Sequence, residues 1–500
     1  MNKPYLLGID QGTSGSRALV IDCEGKIRGY AYQPLARLYP RPDWVEQDPM
    51  VVAMGAKKVI AGALNDAGCT PDQIQAVGIA GQRNTDFGWD GYHGRPIANA
   101  ITWQDLRTQP LLEEIQAWPL AAEARYRLGY APGTYMSSLH LAWRMRHDSA
   151  VQQAAADGSL RLGLSAAWLI NALGQPSEHC MDSSLVQAMG LYDFRDGQYW
   201  SEWLEALAVP QGALPEPRPT IHDFGTLRLI DQQGRTADVP VLAMIGDQQA
   251  ALFGHGCRTP GTAECTQGTA SFVKVFTGKE VPHQGYINIY YAWNTGHGQT
   301  YCLEAPTTVV GGAIRWMQEL RLFDTYAEMD ALAAELQDSG GVMFVPALTG
   351  LDTPYNDPQA RGTILGLTLG TSRGHIIRSF MDSIGYQLRA ILEAICQYDG
   401  TVVDDLLVGG GVTASDTACQ IQANLTGIPI IRPTFKETTA FAAALLAGLG
   451  SGVWPDESSL PPAPGSRTVF EPDYKPDGRD AGYARWQEAV QLTQSWGSKS

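Results

Sequence analysis

The sequence predicts an α/β fold built from two related lobes, and three observations support this prediction. Apolar, strand-like runs alternate with longer helical patterns along the chain. The tripeptide Gln-Gly-Thr occurs twice, at Gln11–Thr13 and Gln267–Thr269, and each copy lies between two apolar runs. The alternation of strand-like and helical segments returns in the second half of the chain. A repeat of this kind indicates two lobes of similar architecture.

Each Gln-Gly-Thr sequence predicts a tight turn between two strands. The first copy lies within YLLGID-QGTSGS-RALVID, from Tyr5 to Asp22, and the second within TAEC-TQGTAS-FVKVF, from Thr262 to Phe276. Glycine permits the sharp turn, and the amides and hydroxyls that follow it can form a concave site for an anion. The two hairpins therefore predict two lobes that hold one phosphate chain.

The remaining elements follow the same pattern in order. The helical pattern VVAMGAKKVIAGALNDAG precedes a strand, QAVGIAG. Later, the strand-like GTILGLT precedes the amphipathic HIIRSFMDSIGYQLRAILEAI, and LLVGGG precedes a helix that begins at Asp416. We place the lobe boundary after the segment Ile245–Phe253, which gives an N-terminal lobe of residues 1–253 and a C-terminal lobe of residues 254–500.

Composition excludes several classes of partner. The 500 residues include 52 acidic and 36 basic side chains, for a net charge of −16 and a pI near 5.0, with no Lys/Arg-rich block. Nucleic acid and anionic membranes are therefore not expected as partners. The eight cysteines are scattered without CxxC pairs, which is typical of reduced thiols in a cytoplasmic protein. Neither the amino terminus nor Ala440–Val453 has the apolar length of a signal-peptide core or a membrane span.

Two short motifs point to other enzyme classes. Gly370-Thr-Ser-Arg-Gly374 matches the GxSxG hydrolase pattern, but the only later histidine, His375, lies in the same predicted helix. Gly409-Gly-Gly-Val-Thr-Ala414 matches the GxGxxG/A pattern of dinucleotide enzymes, yet Pro429 and Pro433 disturb the strand that should carry the ribose-binding acid. The GxxxxGK[ST] motif of P-loop kinases is absent. Phosphate binding is therefore assigned to the two hairpins.

Two aspartates are candidates for phosphoryl-transfer chemistry, which needs a metal ion and a group that orients or deprotonates the attacking hydroxyl. Asp10 closes the first strand before the Gly-Thr turn, where it would hold Mg²⁺ or simply begin the turn. Asp247 follows the apolar run VLAMIG, where it would accept a proton from a hydroxyl or cap the helix QQAALFG. The residues alone leave both pairs of alternatives open.

The sequence resembles the FGGY carbohydrate kinases, and most of all the glycerol kinases among them. Seven blocks in order carry the resemblance: GIDQGTSGSRALVID, DWVEQDP, GQR, AITWQDLRT, GDQQAALFG, PALTGLDTPYNDPQARGTILGLT and ETTAFAAALLAGL. The resemblance implies an actin-like ATPase fold, with two ribonuclease-H-like lobes and a central cleft. It also implies that Asp10 is associated with Mg²⁺ and that Asp247 is the catalytic base.

The resemblance implies two further sets of site residues. The expected nucleotide-binding residues are Thr13, Ser14, Gly15, Arg17, Thr269, Gly311, Arg315, Gly411 and Ser415. The expected substrate-binding residues are Arg83, Asn84, Trp103, Tyr135, Asp247, Gln248 and Phe272. Trp103 and Phe272 would form an apolar wall against carbon, and the polar groups would bind hydroxyls.

Several positions depart from the family pattern. Gly15 stands where serine is common, and Arg315 and Ser415 stand where glycerol kinases usually have Gln and Asn. Asn84 replaces a carboxylate, so an acceptor-only, charged group becomes an amide that both donates and accepts. His140 stands where lysine is usual and Arg144 where an apolar residue is usual. The loop DQQGRTADVP lacks the glycine-rich run that binds an allosteric sugar phosphate in some bacterial glycerol kinases.

The resemblance predicts an ATP-dependent, Mg²⁺-dependent kinase that phosphorylates a terminal hydroxyl of a small polyol or sugar. Glycerol, giving glycerol 3-phosphate, is the first expectation. A kinase for erythritol or a ketopentose such as xylulose or ribulose is the alternative that Asn84 supports. A more distant alternative is an actin-like ATPase without a small-molecule acceptor. A homodimer or homotetramer is left open.

Overall fold

Two seven-stranded mixed sheets organise the chain in the computed structural model, which describes residues 4–268, 271–283, 285–307, 310–473 and 476–497. The strands are β1 Tyr5–Gln11, β2 Gly15–Asp22, β3 Ile27–Pro34, β4 Glu46–Gln47, β5 Ile74–Gly81, β6 Phe87–Asp90, β7 Ala100–Ile101, β8 Leu160–Gly163, β9 Gly174–Pro176, β10 Cys180–Asp182, β11 Tyr192–Asp193, β12 Gln198–Tyr199, β13 Glu216–Arg218, β14 Gly225–Ile230, β15 Thr236–Gly246, β16 Ala263–Gln267, β17 Ser271–Gly278, β18 Asn288–Tyr291, β19 Tyr301–Thr307, β20 Met343–Val345, β21 Thr363–Leu365, β22 Leu406–Gly409, β23 Ile430–Pro433 and β24 Arg467–Phe470.

Helices connect and cover these sheets. They are α1 Pro49–Ala67, α2 Gln109–Gln116, α3 Ala121–Leu128, α4 Ser137–His147, α5 Ser149–Ala156, α6 Ser165–Leu173, α7 Ser183–Ala188, α8 Ser201–Leu207, α9 Asp247–Gly254, α10 Val310–Glu319, α11 Tyr326–Ala334, α12 Arg373–Asp399, α13 Asp416–Thr426, α14 Thr438–Gly450 and α15 Pro476–Gly497. Short 3-10 segments lie at Pro71–Gln73, Gln211–Ala213, Val412–Ala414 and Glu457–Ser459. No helix among the described residues has the length and apolar character needed to cross a membrane.

The first compact unit comprises residues 1–256, 290–301 and 437–464. Its sheet has the order β3-β2-β1-β5-β15-β14-β9. β1 pairs antiparallel with β2, and parallel with β5, which pairs parallel with β15. Every residue of β1 after Tyr5 is buried, as expected for a central strand with both faces covered. The carboxyl ends of three parallel strands therefore meet at one edge of this sheet.

The late helix α14 packs against β1 and β5 of the first unit. The approach is close because α14 is built largely of Ala, Leu and Gly and both strands carry a glycine facing it. A Cβ atom on Gly8 would lie 1.9 Å from the carbonyl oxygen of Ala440, and one on Gly78 would lie 1.9 Å from that of Ala443. Only glycine fits at these two positions.

The second compact unit comprises residues 257–289, 302–436 and 465–500. Its strands follow the order β19-β17-β16-β22-β23-β24, with β18 beside β19 at the edge. β16 pairs antiparallel with β17 and parallel with β22, and β22 pairs parallel with β23. The order β19-β17-β16-β22-β23 matches the order β3-β2-β1-β5-β15 of the first unit. The repeated architecture predicted from the sequence is present.

The structure also shows where sequence patterns were insufficient. The strand predicted for GTILGLT is limited to β21, because the residues after Leu365 are exposed and leave the ladder at Gly366, which has a φ of +80°. Both compact units are discontinuous in sequence, since residues 437–464 belong to the first one. The lobe boundary between residues 253 and 254 stays a prediction.

Candidate functional site

Parallel pairing brings three polar residues of the first unit to one sheet edge. Gln11 and Gly246 both pair with Gly81, so β1, β5 and β15 end at the same level. Asp10 precedes the end of β1, Gln82 directly follows β5, and Asp247 directly follows β15. In α/β sheets this edge, at the carboxyl ends of the strands, is where ligands bind.

Asp10 is buried among other charges. Its Oδ2 accepts a hydrogen bond from Arg17 Nη1 at 3.1 Å, and Arg17 Nε lies 3.2 Å from Glu437 Oε2. Burial raises the pKa of Asp10 to about 7; Arg17 opposes this shift, and the negative charges of Asp247 and Glu437 add to it. One guanidinium therefore pairs with two carboxylates beside the first hairpin.

The first hairpin is fixed by a network centred on Thr13. The Thr13 hydroxyl donates to Gln82 Oε1 at 2.7 Å and accepts from the indole nitrogen of Trp103 at 2.9 Å. Gln47 Nε2 donates to the Thr13 carbonyl at 2.8 Å, and Gln82 Nε2 donates to Gln47 Oε1 at 2.8 Å. The predicted phosphate contact Thr13 and the predicted substrate contact Trp103 are thus in direct contact.

Gly15 has no room for the serine that the family pattern favours. A Cβ atom there would lie 2.4 Å from Cε2 of Tyr32 and 2.8 Å from the carbonyl oxygen of Gln33. The guanidinium of Arg17 also lies over the Tyr32 ring, 4.9 Å from its centroid. Tyr32 therefore occupies the space beside Gly15, while Ser14, at the turn, is exposed.

Asp247 is the first residue of α9, and the preceding Gly246 occupies the N-cap position. Oδ1 of Asp247 accepts from the backbone N–H of Gln248 at 2.8 Å. The interpretation of Asp247 as a helix cap is therefore wrong. Asp247 therefore lies in the first turn of α9, directly after the carboxyl end of β15.

Arg83 and Asn84 lie in the turn that follows β5. Cδ of Arg83 is 3.5 Å from the Cβ position of Gly246, next to Asp247, and its guanidinium lies 4.6 Å from the ring centroid of Tyr290. Asn84 has a left-handed backbone, with φ of +56°, which asparagine tolerates better than most residues. Its Oδ1 is buried and accepts no hydrogen bond among the described residues. A buried acceptor of this kind calls for a donor from a ligand or water.

The remaining substrate candidates are distributed between the two units. The ring of Tyr135 packs on Gly133, where a Cβ atom would lie 2.4 Å from Cε1 of the ring. Gln248 is half-buried in the first turn of α9. Phe272 lies in β17 of the second unit and is half-buried. The assignment of Phe272 to the acceptor stays a prediction.

In the second unit the glycine-rich candidates gather around the second hairpin. The backbone N–H of Gly311 donates to the Gly268 carbonyl at 3.2 Å. Gly410, with φ of +100°, lies against the backbone of Gln267, and a Cβ atom on Gly411 would meet nothing within 4 Å. The Gly410–Gly411 segment therefore has backbone without side chains beside the second hairpin, which would let a ligand approach closely. Thr269 lies outside the described residues.

Arg315 and Ser415 differ in exposure and in hydrogen bonding. Arg315 is exposed on α10. The Ser415 hydroxyl accepts from the Ala418 N–H at 2.8 Å as the N-cap of α13 and donates to Asp330 Oδ1. Ser415 is thus engaged in helix capping.

Three site residues were not singled out from the sequence. They are Gln47, Gln82 and Glu437, which complete the networks of Thr13 and Arg17. All three lie in or beside the blocks DWVEQDP, GQR and ETTAFAAALLAGL. Their position inside these blocks was the only sequence feature that could have pointed to them. Their contacts with the first hairpin are visible only in the tertiary structure.

Two other clusters have simpler explanations. Among the described residues, Glu178, Cys180 and His222 have ligand atoms close enough for a metal ion. However, Arg218 binds Glu178 through two contacts of 2.6 and 2.8 Å, and burial raises the pKa of the Cys180 thiol to about 12. The Ser372 hydroxyl contacts His375 Nδ1 at 2.8 Å within the capping box of α12, so the GxSxG match is a helix start.

Comparison with known proteins now assigns the family. A model of the N-terminal domain of the FGGY family of carbohydrate kinases matches residues 5–254, and a model of its C-terminal domain matches residues 263–451. The chain belongs to the FGGY family of carbohydrate kinases. The resemblance drawn from the sequence motifs is thereby confirmed, and with it the enzyme class, a kinase that phosphorylates an alcohol group.

Individual relatives support the same assignment. The glycerol kinase of Halorhodospira halophila is 37% identical over 503 residues, covering 100% of this chain and 98% of the relative. The glycerol kinase of Symbiobacterium thermophilum is 36% identical over 501 residues, covering 100% of both chains.

Solved structures confirm the two-lobed α/β fold class. The crystal structure of Plasmodium falciparum glycerol kinase with ADP matches with a TM-score of 0.91 and 26% identity, covering 98% of each chain. The xylulose kinase of Rhodospirillum rubrum matches with a TM-score of 0.85 and covers 99% of this chain and 100% of that chain. At 21% identity the second likeness concerns the fold alone.

Proposed function

We propose that this FGGY kinase transfers the γ-phosphoryl group of ATP to a terminal hydroxyl of a small polyol, with glycerol as the preferred acceptor. The observation that carries the proposal is the position of Asp247. It is the first residue of α9 and lies beside Arg83, at the sheet edge that also carries the Thr13 network. The full-length similarity to glycerol kinases supports glycerol as the acceptor.

Asp247 is the proposed catalytic base. Its Oδ1 accepts from the Gln248 N–H at 2.8 Å, which helps to fix the carboxylate that would accept the proton of an acceptor hydroxyl. The α9 dipole stabilises the carboxylate before the reaction. A base held in place in this way removes the proton as the oxygen attacks phosphorus.

Arg83, Trp103, Tyr135 and Gln248 are proposed to bind the acceptor. Trp103 is held by its bond to Thr13 and offers its ring face, which suits the carbon chain of a polyol. Arg83 is held over the Tyr290 ring and offers N–H donors to hydroxyl oxygens. Holding the attacking hydroxyl in one geometry supplies much of the rate enhancement in such transfers.

Asp10 is the proposed metal-associated residue, and its surroundings fit a divalent cation. The negative charges of Asp247 and Glu437 act on Asp10, while Arg17 is the cation that pairs with it. Mg²⁺ prefers one or two carboxylates with water and phosphate oxygens to a full protein cage. When bound with ATP, Mg²⁺ would neutralise charge on the phosphate oxygens. The chain's own task here is to keep Asp10 oriented, which Arg17 performs.

Thr13, Ser14, Gly15 and Arg17 of the first hairpin are proposed phosphate contacts. The second unit contributes its own candidates for the nucleotide, Gly311, Arg315, Gly411 and Ser415. Because the Ser415 hydroxyl is already engaged by Asp330 and Ala418, we assign it the smallest share of nucleotide binding in this set.

Asn84 supports a second candidate function. Its buried Oδ1 has no hydrogen-bond partner among the described residues, so an acceptor with an additional hydroxyl would satisfy it. Erythritol and the ketopentoses xylulose and ribulose carry such hydroxyls. A kinase for one of these acceptors is the alternative to glycerol.

The test is ADP release with glycerol, erythritol, xylulose, ribulose or no acceptor, at fixed ATP and Mg²⁺. We expect the highest kcat/KM with glycerol and little ADP release without an acceptor. A higher kcat/KM with erythritol or a ketopentose would replace glycerol by the second candidate. ADP release that is independent of every acceptor would overturn the proposed kinase reaction. Mass spectrometry of the product distinguishes phosphorylation from ATP hydrolysis.

A further inference from the structure

A buried charge cluster adjoins the proposed acceptor residues. Asp86, two residues after Asn84, is fully buried and bound on both carboxylate oxygens. Its Oδ1 lies 3.1 Å from His140 Nδ1, and its Oδ2 accepts from Arg144 Nε at 2.8 Å. His140 and Arg144 both lie on α4. The two residues of α4 that depart from the family pattern therefore contact the same carboxylate.

The hydrogen bonds of His140 define its protonation pattern. Nδ1 faces the Asp86 carboxylate, and Nε2 faces the carbonyl oxygen of Thr134 at 3.0 Å. A carboxylate paired with arginine and a backbone carbonyl both accept and cannot donate. Both ring nitrogens must then donate. In a neutral ring one nitrogen carries a lone pair instead of a proton, and that lone pair would repel the oxygen that it faces. Each ring nitrogen of His140 therefore faces an acceptor.

The cluster ties together three segments that carry proposed acceptor residues. Asp86 is continuous with the Arg83–Asn84 turn, and its backbone N–H donates to the Ile101 carbonyl at 3.1 Å, two residues before Trp103. His140 holds the Thr134 carbonyl, and Thr134 precedes Tyr135. All these residues belong to the first unit.

The other two guanidinium nitrogens of Arg144 also contact oxygen atoms. Nη2 donates to the carbonyl oxygen of Asn99, close to the β7 segment, and Nη1 lies 3.5 Å from Asp148 Oδ2. The side chains of Asp86, His140 and Arg144 are each at most 5% exposed. A charge network that is buried and satisfied in this way is rigid, and removing one member leaves the others unpaired.

We infer that Asp86, His140 and Arg144 form a positioning cluster that sets the relative placement of the Arg83–Asn84 turn, Trp103 and Tyr135, with His140 donating from both ring nitrogens. This inference rests on the proposed function, because those residues bind the acceptor under it. The cluster touches neither acceptor nor nucleotide itself. Its effect is therefore on acceptor affinity, transmitted through the three segments that it joins.

Steady-state kinetics of His140→Gln and Asp86→Asn test the positioning role. Glutamine has a single donor nitrogen and places an acceptor oxygen beside it, so it cannot donate in both directions as the ring does. Asparagine removes the charge that both α4 residues bind. We expect KM for the acceptor to rise roughly 10-fold in each variant, with KM for ATP within about twofold of the original value. Simple destabilisation would instead lower the active fraction, hence the apparent kcat, and leave both KM values unchanged. That outcome would overturn the inference.

Asp193→Asn is the matched control. Asp193 is a buried carboxylate of the same unit that Arg127 binds at 2.8 Å, and it adjoins none of the proposed acceptor residues. We expect this variant to lose thermal stability without a change in either KM value. An increase of the acceptor KM as large as in Asp86→Asn would show a general effect of losing a buried ion pair and would also overturn the inference.

Nitrogen-15 NMR of histidine-labelled protein tests the double donor without any enzyme assay. We expect both ring nitrogens of His140 to show the chemical shifts of protonated nitrogen at neutral pH. The His140 resonance is identified by its loss in His140→Gln. If that variant does not fold, it is identified by elimination among variants of the other histidines. A neutral tautomer would overturn the assignment of His140. If the original protein phosphorylates no polyol, the proposed function fails, while the NMR result still decides the protonation of His140.

Discussion

At the scale of single residues, the position of Asp247 excludes one of the two roles that the sequence leaves open. An aspartate before a helix is most simply a cap. Here Gly246 takes the N-cap position, and Asp247 is the first residue within the helix. The difference is one residue of register, and it removes the N-cap role, while the role of Asp247 as catalytic base stays a proposal.

Asp247→Asn is expected to fold normally and to lose roughly 10²- to 10⁴-fold in kcat, because asparagine cannot accept the hydroxyl proton. The measurement is acceptor-dependent ADP release, with circular dichroism as the check on folding. Asp72→Asn, in the first turn of the short segment Pro71–Gln73, serves as a control and should retain near-normal turnover. Near-normal turnover in Asp247→Asn would remove Asp247 from the base role.

Asn84 is the residue at which acceptor preference is expected to change. Asn84→Glu restores a carboxylate and should raise the ratio of kcat/KM for glycerol to that for erythritol by about one to two powers of ten, since charge-assisted hydrogen bonds contribute roughly 1.5–3 kcal/mol. The left-handed backbone, with φ of +56°, makes glutamate less stable there than asparagine.

Asn84→Asp separates charge from backbone strain, because aspartate also tolerates the left-handed region. Thermal unfolding of both variants measures the strain, and the acceptor ratio measures the charge. An unchanged ratio in both variants would place acceptor selectivity elsewhere in the chain.

At the scale of elements, the first hairpin and the neighbouring strand β3 are fitted to each other. Gly15 opens β2, and Tyr32 on β3 fills the space that a serine would need. Arg17 on β2 in turn lies over the Tyr32 ring and reaches Asp10. The departure at Gly15 is thus part of a local arrangement that spans two strands.

Gly15→Ser is expected to lower thermal stability and to raise KM for ATP several-fold, because a Cβ atom would lie 2.4 Å from the Tyr32 ring and overpacking typically costs about 1–3 kcal/mol. Adding Tyr32→Ala should recover part of both losses by opening space for the serine, with Tyr32→Ala alone as the control. The predicted coupling is wrong if the double variant has the same thermal stability and the same KM for ATP as Gly15→Ser.

At the scale of the whole molecule, a segment late in the sequence belongs to the first compact unit. Helix α14 lies more than three hundred and fifty residues after β5 in sequence, yet it packs on β1 and β5. The contact depends on Gly8 and Gly78, which let the helix backbone approach the strands. The first unit is therefore complete only when residues 437–464 are in place.

Gly78→Ala should destabilise the first unit, because its Cβ atom would lie 1.9 Å from the Ala443 carbonyl oxygen and the helix would have to move away. We expect a loss of about 1–3 kcal/mol, seen as a lower thermal midpoint and faster proteolysis within residues 437–464. Gly212→Ala, where a Cβ atom would meet nothing within 4 Å, is the matched control. Equal stability of the two variants would contradict the close packing of α14.

The sequence by itself determined the α/β class, the two Gln-Gly-Thr hairpins and the family. It did so because strand and helix periodicity, glycine turns and ordered motif blocks are local properties of the chain. The boundaries of β1, β2, α1 and β5 follow the apolar runs from which they were predicted. Asp10, Arg83, Trp103 and Asp247 were likewise named from motifs, and their assigned roles stay proposals.

Only the tertiary structure decided which distant residues share a contact. The bonds of Thr13 to Gln82 and Trp103, the pairing of Arg17 with Glu437, and the meeting of His140 and Arg144 at Asp86 join segments far apart in sequence. Such contacts arise from strand order and helix packing, which no local pattern encodes. The repeated hairpins therefore predicted a phosphate-handling protein, whereas the arrangement around Asn84 and Asp86 is a property of the folded chain.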